Sequence, residues 1–144
     1  MSDGALIVVI DDHESVRNSL RALLESNGLA VKDYASAVAY LSDDGGGDCL
    51  LVDLRMPQMT GLELQQELNK RNSPVPLIVI SGHGDVPLAV AAMRAGAFDF
   101  LQKPFDDDVL LDSIHRALAE GRKTRESHNE SRAAAALIAA LTTR

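Results

Sequence analysis

The chain has 144 residues, 46% of them hydrophobic and 24% charged, with a formal net charge of −7. That length suits one globular domain with a substantial core and argues against a two-domain enzyme. The acidity argues against a surface that grips nucleic acid or an anionic membrane by itself, because both need cationic side chains.

The opening, MSDGALIVVIDD, lacks the basic and long apolar regions of a signal peptide, and no apolar run approaches bilayer-spanning length, so a cytoplasmic protein is expected. Ala5 to Ile10 reads as a first strand. ESVRNSLRALLESNG follows as a helix with Val16, Leu20, Leu23 and Leu24 on one face and Gly28 as its stop. LAVKDYA is a more polar strand, SAVAYLSDD a short helix, and Gly45 to Gly47 a flexible turn that lacks the lysine and helix start of a phosphate loop.

Cys49 to Val52 is a third, apolar strand ending on Asp53. Its cysteine, alone in the chain, excludes an intrachain disulfide and reads as a small buried hydrophobe. Thr60 and Glu63 stand at capping-box spacing, which predicts a helix running to about Asn72. Val75 to Ile80 is a fourth strand. The next helix has Asp85 as its predicted cap, Pro87 in the first turn and Gly96 as terminator. FDFLQK makes a fifth strand, and DDDVLLDSIHRALAEG a fifth helix expected to turn Val109, Leu110, Ile114 and Leu118 inward.

Strict βα alternation predicts an α/β fold, a flavodoxin-like doubly wound parallel sheet of order 2-1-3-4-5 with right-handed crossovers. The polar second and fifth strands fall at the edges, and the three apolar runs at the centre. Residues 1–121 are read as this domain. Residues 122–144, charged and then alanine-rich with Leu137, Ile138 and Leu141 at helical spacing, are read as a helical linker or tail.

Ligands of such sheets bind beyond the carboxyl ends of the strands. There the chain places Asp11 and Asp12, Asp53, Ser81 before Gly82, and Lys103 before Pro104. Three clustered carboxylates repel unless a cation sits among them, and hard oxygen donors with few protein ligands suit Mg²⁺. A carboxylate beside such an ion is a candidate nucleophile toward a phosphoryl group. Lys103 and Ser81 are then candidates to hold the phosphoryl oxygens.

Asp11 and Asp12 with Asp53 in DLRMPQMTG, Ser81 in SGHGD, and Lys103 with Pro104 in FLQKPF resemble the receiver domain of two-component response regulators, over roughly residues 5 to 120. Within that family SGHGDVPLAVAAMRAGAFDFLQKPF is most similar to FixJ-type regulators. The resemblance implies that Asp53 accepts a phosphoryl group from the phosphohistidine of a sensor histidine kinase. It implies that Asp12, Asp53 and the Arg55 carbonyl bind Mg²⁺ directly, and that Asp11 acts mainly through water. Ser81 and Lys103 would hold the phosphoryl group, Phe100 would be the switch aromatic, and the Lys103–Pro104 peptide would be cis. Arg55 and His83 line the pocket in the family and are candidates to tune the lifetime of the aspartyl phosphate.

The resemblance also implies a homodimer formed on phosphorylation through the face of the fourth helix, fifth strand and fifth helix, which carries Val86, Val90, Arg94 and Phe100 to Phe105. DNA would be reached only through a further domain entered near ALTTR. A stand-alone receiver acting on another protein is the alternative output.

Other readings weigh less. His13 and His83, without ligand spacing, do not predict zinc. A Mg²⁺-dependent phosphohydrolase of the haloacid dehalogenase type needs an acid two residues after the nucleophile, where this chain has Arg55. The expectation is a switch that modifies only itself, not an enzyme acting on an external metabolite. The surplus of acids, with no glycine-rich phosphate loop in the chain, speaks against a flavodoxin-like flavin-binding module.

Overall fold

In this computed structural model, residues 5–43, 46–82 and 84–121 are described; the tail read over 122–144, and Gly45 of the glycine turn, lie outside them. The strands are β1 (Leu6–Ile10), β2 (Ala30–Tyr34), β3 (Cys49–Asp53), β4 (Leu77–Ser81) and β5 (Asp99–Gln102). Helices α1 (Glu14–Ser26), α2 (Ala37–Ser42), α3 (Gly61–Lys70) and α4 (Val86–Arg94) connect them. A fifth helix, α5, is described over 107–121. The sheet is parallel throughout, in the order β2-β1-β3-β4-β5.

Alternation along each strand divides the core in two. Val8, Ile10, Leu50, Val52, Leu77 and Val79 face α2, α3 and α4, where Tyr40, Leu64, Leu68, Ala89 and Ala92 cover them. Ile7, Val9, Cys49, Leu51, Ile78 and Ile80 face α1 and α5, covered by Leu20, Leu24, Leu110, Ile114 and Leu118. β3 and β4 are buried at every residue, as befits strands covered on both faces. Burial pushes the Cys49 thiol up to about 12, so it stays protonated and inert.

The element ends follow local chemistry. β4 begins at Leu77 rather than Val75 because Pro76 has no N–H for the ladder; its carbonyl still accepts from Leu50 N at 3.0 Å. The Thr60–Glu63 capping box is formed in both directions. α3 stops at Lys70, short of the expected Asn72, which turns into the left-handed region at φ 55°. Gly96 ends α4 at φ 106°.

Two expectations are corrected. Val109 is 48% exposed, because the inward stripe of α5 is centred on Leu110, Ile114 and Ala117 and Val109 lies about 140° from Ile114 at 100° per residue. Asp85 occupies the N-cap position of α4 but makes no capping hydrogen bond, since its carboxylate is engaged elsewhere.

Candidate functional site

Strand register builds the site. Ile10 pairs with Val52, so Asp11 and Asp53 leave adjacent strands at the same level. Asp53 pairs in turn with Ile80, just before Ser81, and Ser81 pairs with Gln102, just before Lys103. Residues far apart in sequence thus meet at one edge because parallel neighbours end together.

Ligand atoms from Asp11, Asp12, His13 and Asp53 lie within 4.8 Å of one another. Asp11 is 1% exposed and Asp53 8%. The Asp11 Oδ1 accepts from His13 N at 2.8 Å, and its Oδ2 lies 3.9 Å from Lys103 Nζ. Asp53 Oδ1 accepts from Arg55 N at 3.1 Å. Burial raises the Asp53 carboxyl above the ordinary carboxylate range; the Arg55 N–H and Lys103 oppose this, and the charges of Asp11 and Asp12 add to it.

His13 is mostly exposed, yet its Nδ1 lies 3.3 Å from both Asp11 Oδ1 and Asp12 Oδ1, so the structure brings it to the cluster's rim. The spacing of His13 relative to other histidines gave no sign of this; its place directly after two strand-end acids did.

The residues fit a hard divalent cation. Asp11 Oδ2 and Asp12 Oδ1 are buried without a hydrogen-bond partner, an arrangement that is costly unless a cation or its water completes it. Three carboxylates supply oxygen donors in a cluster that spans the width of one ion, matching Mg²⁺ better than a thiolate- or imidazole-preferring metal.

Around this cluster Ser81 is buried, its Oγ 3.5 Å from Leu101 O, while its carbonyl accepts from Lys103 N at 2.8 Å. The Lys103–Pro104 peptide is cis. Phe100 projects outward on β5, exposed. His83 lies outside the described residues. Beside Lys103 a groove of about 630 Å³ runs between α1 and the β5–α5 loop, lined by Ser15, Val16, Leu20, Leu23 and Phe105.

One feature was not legible in the sequence. Asp85, 2% exposed, accepts from Gly82 N at 2.9 Å and from Arg55 Nε, joining the loop after Asp53 to the loop after Ser81. The Gly82 N–H and then the Arg55 guanidinium hold its carboxyl below the usual range. A depressed folded value contributes stability above the ordinary carboxylate pKa and loses it as pH falls through the folded value. Asp85→Ala is therefore expected to cost about 1 kcal/mol at neutral pH, with the difference from the parent shrinking in acid, as read by urea unfolding at both pH values.

Residues 7–115 match the family model of the response regulator receiver domain. The chain is 47% identical over 132 residues to the transcriptional regulatory protein FixJ of Azorhizobium caulinodans, covering 90% of this chain and 62% of that protein. It is 43% identical over 125 residues to the response regulator protein TmoT of Ectopseudomonas mendocina, covering 85% and 57%. It spans a little over half the length of these curated relatives. Among solved structures, that of FixJ-N superposes with a TM-score of 0.76 at 47% identity, covering 81% of this chain and 95% of that one. A buried strand-end aspartate ringed by acids and a lysine, on a sheet of this order and with these relatives, places the chain in the family of response regulator receiver domains.

Proposed function

We propose that this chain is a phosphorylation-activated receiver of a two-component phosphorelay, with Asp53 as the phosphoacceptor. The observation that carries this is Asp53 itself: a buried carboxylate level with Asp11, among acids with buried oxygens that make no hydrogen bond, and within the field of Lys103. An oxygen of Asp53 attacks the phosphorus of a kinase phosphohistidine, and the P–N bond breaks as the P–O bond forms. Asp12, Asp53 and the Arg55 carbonyl would hold Mg²⁺, with Asp11 acting mainly through water. When bound, the ion neutralises the charge that gathers on the phosphoryl oxygens. Lys103 pairs with one of those oxygens, and Ser81 donates to another after leaving its long contact with Leu101.

The histidine kinase would dock over the groove beside Lys103. Phosphorylation would draw Ser81 and the following loop inward, working against the Arg55–Asp85 pair, and turn Phe100 from its exposed position. Arg55 and His83 would tune the hydrolysis of the aspartyl phosphate. Val86, Val90, Met93 and Phe100 are exposed on one side of the domain, which supports dimerisation there. Beryllofluoride with Mg²⁺ is expected to shift the chain to a dimer in gel filtration; an unchanged elution volume counts against this.

Residues 1–121 would be the receiver and 122–144 the linker toward a DNA-binding output domain. The named relatives include a transcriptional regulatory protein of which this chain spans 62%. Among the described residues no helix is long and apolar enough to cross a membrane, which agrees with a cytoplasmic regulator.

The test is incubation with acetyl phosphate and Mg²⁺. A lasting mass gain of one phosphoryl group, absent in Asp53→Asn, is expected. Rapid multiple turnover would indicate a phosphohydrolase instead, and no modification a binding module.

A further inference from the structure

We propose that Arg17 is a positioning residue for the Mg²⁺ site, acting through the backbone carbonyl of Asp11; this rests on the metal site of the proposed function. Arg17 touches none of the clustered carboxylates. Its Nη1 donates to Asp11 O at 2.8 Å, while its Nε donates to Asp33 Oδ2 at 3.0 Å. The other Asp33 oxygen accepts from Arg21 Nη2 at 2.7 Å, and Arg21 Nη1 donates to Val31 O at 3.0 Å. The guanidinium of Arg17 is thus pinned by β2, and its side chain is only 15% exposed.

The geometry explains why this contact bears on the cluster. The Asp11 carbonyl and the Asp12 N–H belong to one planar peptide unit, so holding that oxygen sets the plane from which the Asp12 side chain departs. On the other side, Asp11 N donates to Tyr34 O at 3.2 Å. The backbone of Asp11 is therefore tied to edge strand β2 directly through its N–H and by way of Arg17 and Asp33 through its carbonyl, while Asp12 presents a buried Oδ1 that makes no hydrogen bond and has the mostly exposed His13 Nδ1 3.3 Å away. A strand end followed by a loop would otherwise let this peptide rotate. A guanidinium suits the role because its rigid fork reaches two acceptors in fixed directions, which a lysine ammonium cannot reproduce.

A plain α1–β2 ion pair is the competing account, and two variants separate the roles. Arg17→Lys keeps the charge opposite Asp33 but loses the fork. Asp33→Asn removes the charge and keeps an oxygen to accept from Arg17. Mg²⁺ would be titrated into the unphosphorylated 144-residue chain and followed by the backbone amide NMR shifts of Asp12 and Asp53, with urea unfolding measured in parallel.

Arg17→Lys is expected to bind Mg²⁺ about tenfold more weakly, the scale seen when groups that orient metal ligands are lost. Asp33→Asn is expected to lose more stability while its Mg²⁺ affinity stays near the parent value. If Arg17→Lys does not fold, Arg17→Gln, which loses both the fork and the charge, is set against Asp33→Asn, which loses the charge alone. An unchanged Mg²⁺ affinity in the Arg17 variant, or an equal loss in Asp33→Asn, would overturn the proposal, as would a parent chain that binds no Mg²⁺. A parent that binds Mg²⁺ in an Arg17-dependent way but takes no phosphoryl group from acetyl phosphate would sustain this inference and sink the proposed function.

Discussion

At neutral pH and without Mg²⁺, Asp53→Asn is expected to be more stable than the parent chain by about 1 kcal/mol, the scale of relieving one poorly compensated buried charge. Asp53 is 8% exposed, and burial together with the charges of Asp11 and Asp12 raises its carboxyl above the ordinary range, against the help of the Arg55 N–H and Lys103. An acid whose folded pKa is raised binds protons more readily folded than unfolded, so stability falls as pH rises from the unfolded value through the folded one. The penalty is complete above that window and absent below it.

The advantage of Asp53→Asn should accordingly shrink as pH is lowered into the ordinary carboxylate range. It should also shrink at neutral pH when Mg²⁺ supplies the missing positive charge to the parent. Urea unfolding of both chains, with and without Mg²⁺ and at neutral and acidic pH, measures all of this. A variant no more stable than the parent under any of these conditions would mean that the site is not strained by charge.

Gly61→Ala is expected to cost about 2 kcal/mol and to displace the strand end that carries Asp53. A Cβ at Gly61 would stand 2.7 Å from Asp53 O and 3.0 Å from Leu54 Cα. Both are backbone atoms of the segment that carries the site, so no flexible side chain can yield. Gly61 N donates to Leu54 O at 3.0 Å, which holds the start of α3 against that segment. Alanine is the better helix former by up to about 1 kcal/mol, but at the first residue of α3 that gain is smaller than the overlap. The loss would be read in urea unfolding. Displacement would appear as amide NMR shifts at Asp53 and Leu54, and a variant with unchanged stability and shifts would show that the loop adapts freely.

Much of the fold was legible because its signals are local. Apolar runs too short for helices, the Thr60–Glu63 box and the Gly96 stop each act within a few residues, and βα alternation limits how the strands can be ordered. The expected order, with polar β2 and β5 at the edges, is the observed one. Boundaries were less legible where one group changed the outcome, as Pro76 does at β4. Val109 was misplaced because neighbouring apolar residues on a helix point about 100° apart, and composition does not say which of them faces the sheet.

By itself the sequence determined which chemistry the chain can offer: acids, a hydroxyl and a lysine at strand ends, on a parallel sheet whose ends align. Only the tertiary structure decided how those groups are held. Asp85 looked like a helix cap and instead clasps Gly82 and Arg55, while the approach of Gly61 to the Asp53 backbone and the reach of Arg17 to the Asp11 carbonyl had no sign in the sequence. The Arg55–Asp85 contact spans 30 residues and the Arg17–Asp33 pair 16, while the Gly82, Asp11 and Gly61 contacts are shorter in sequence and depend on how a loop or helix start folds back on a strand end. Helical and strand periodicities record which face a residue occupies, but not which atom of another segment meets it there.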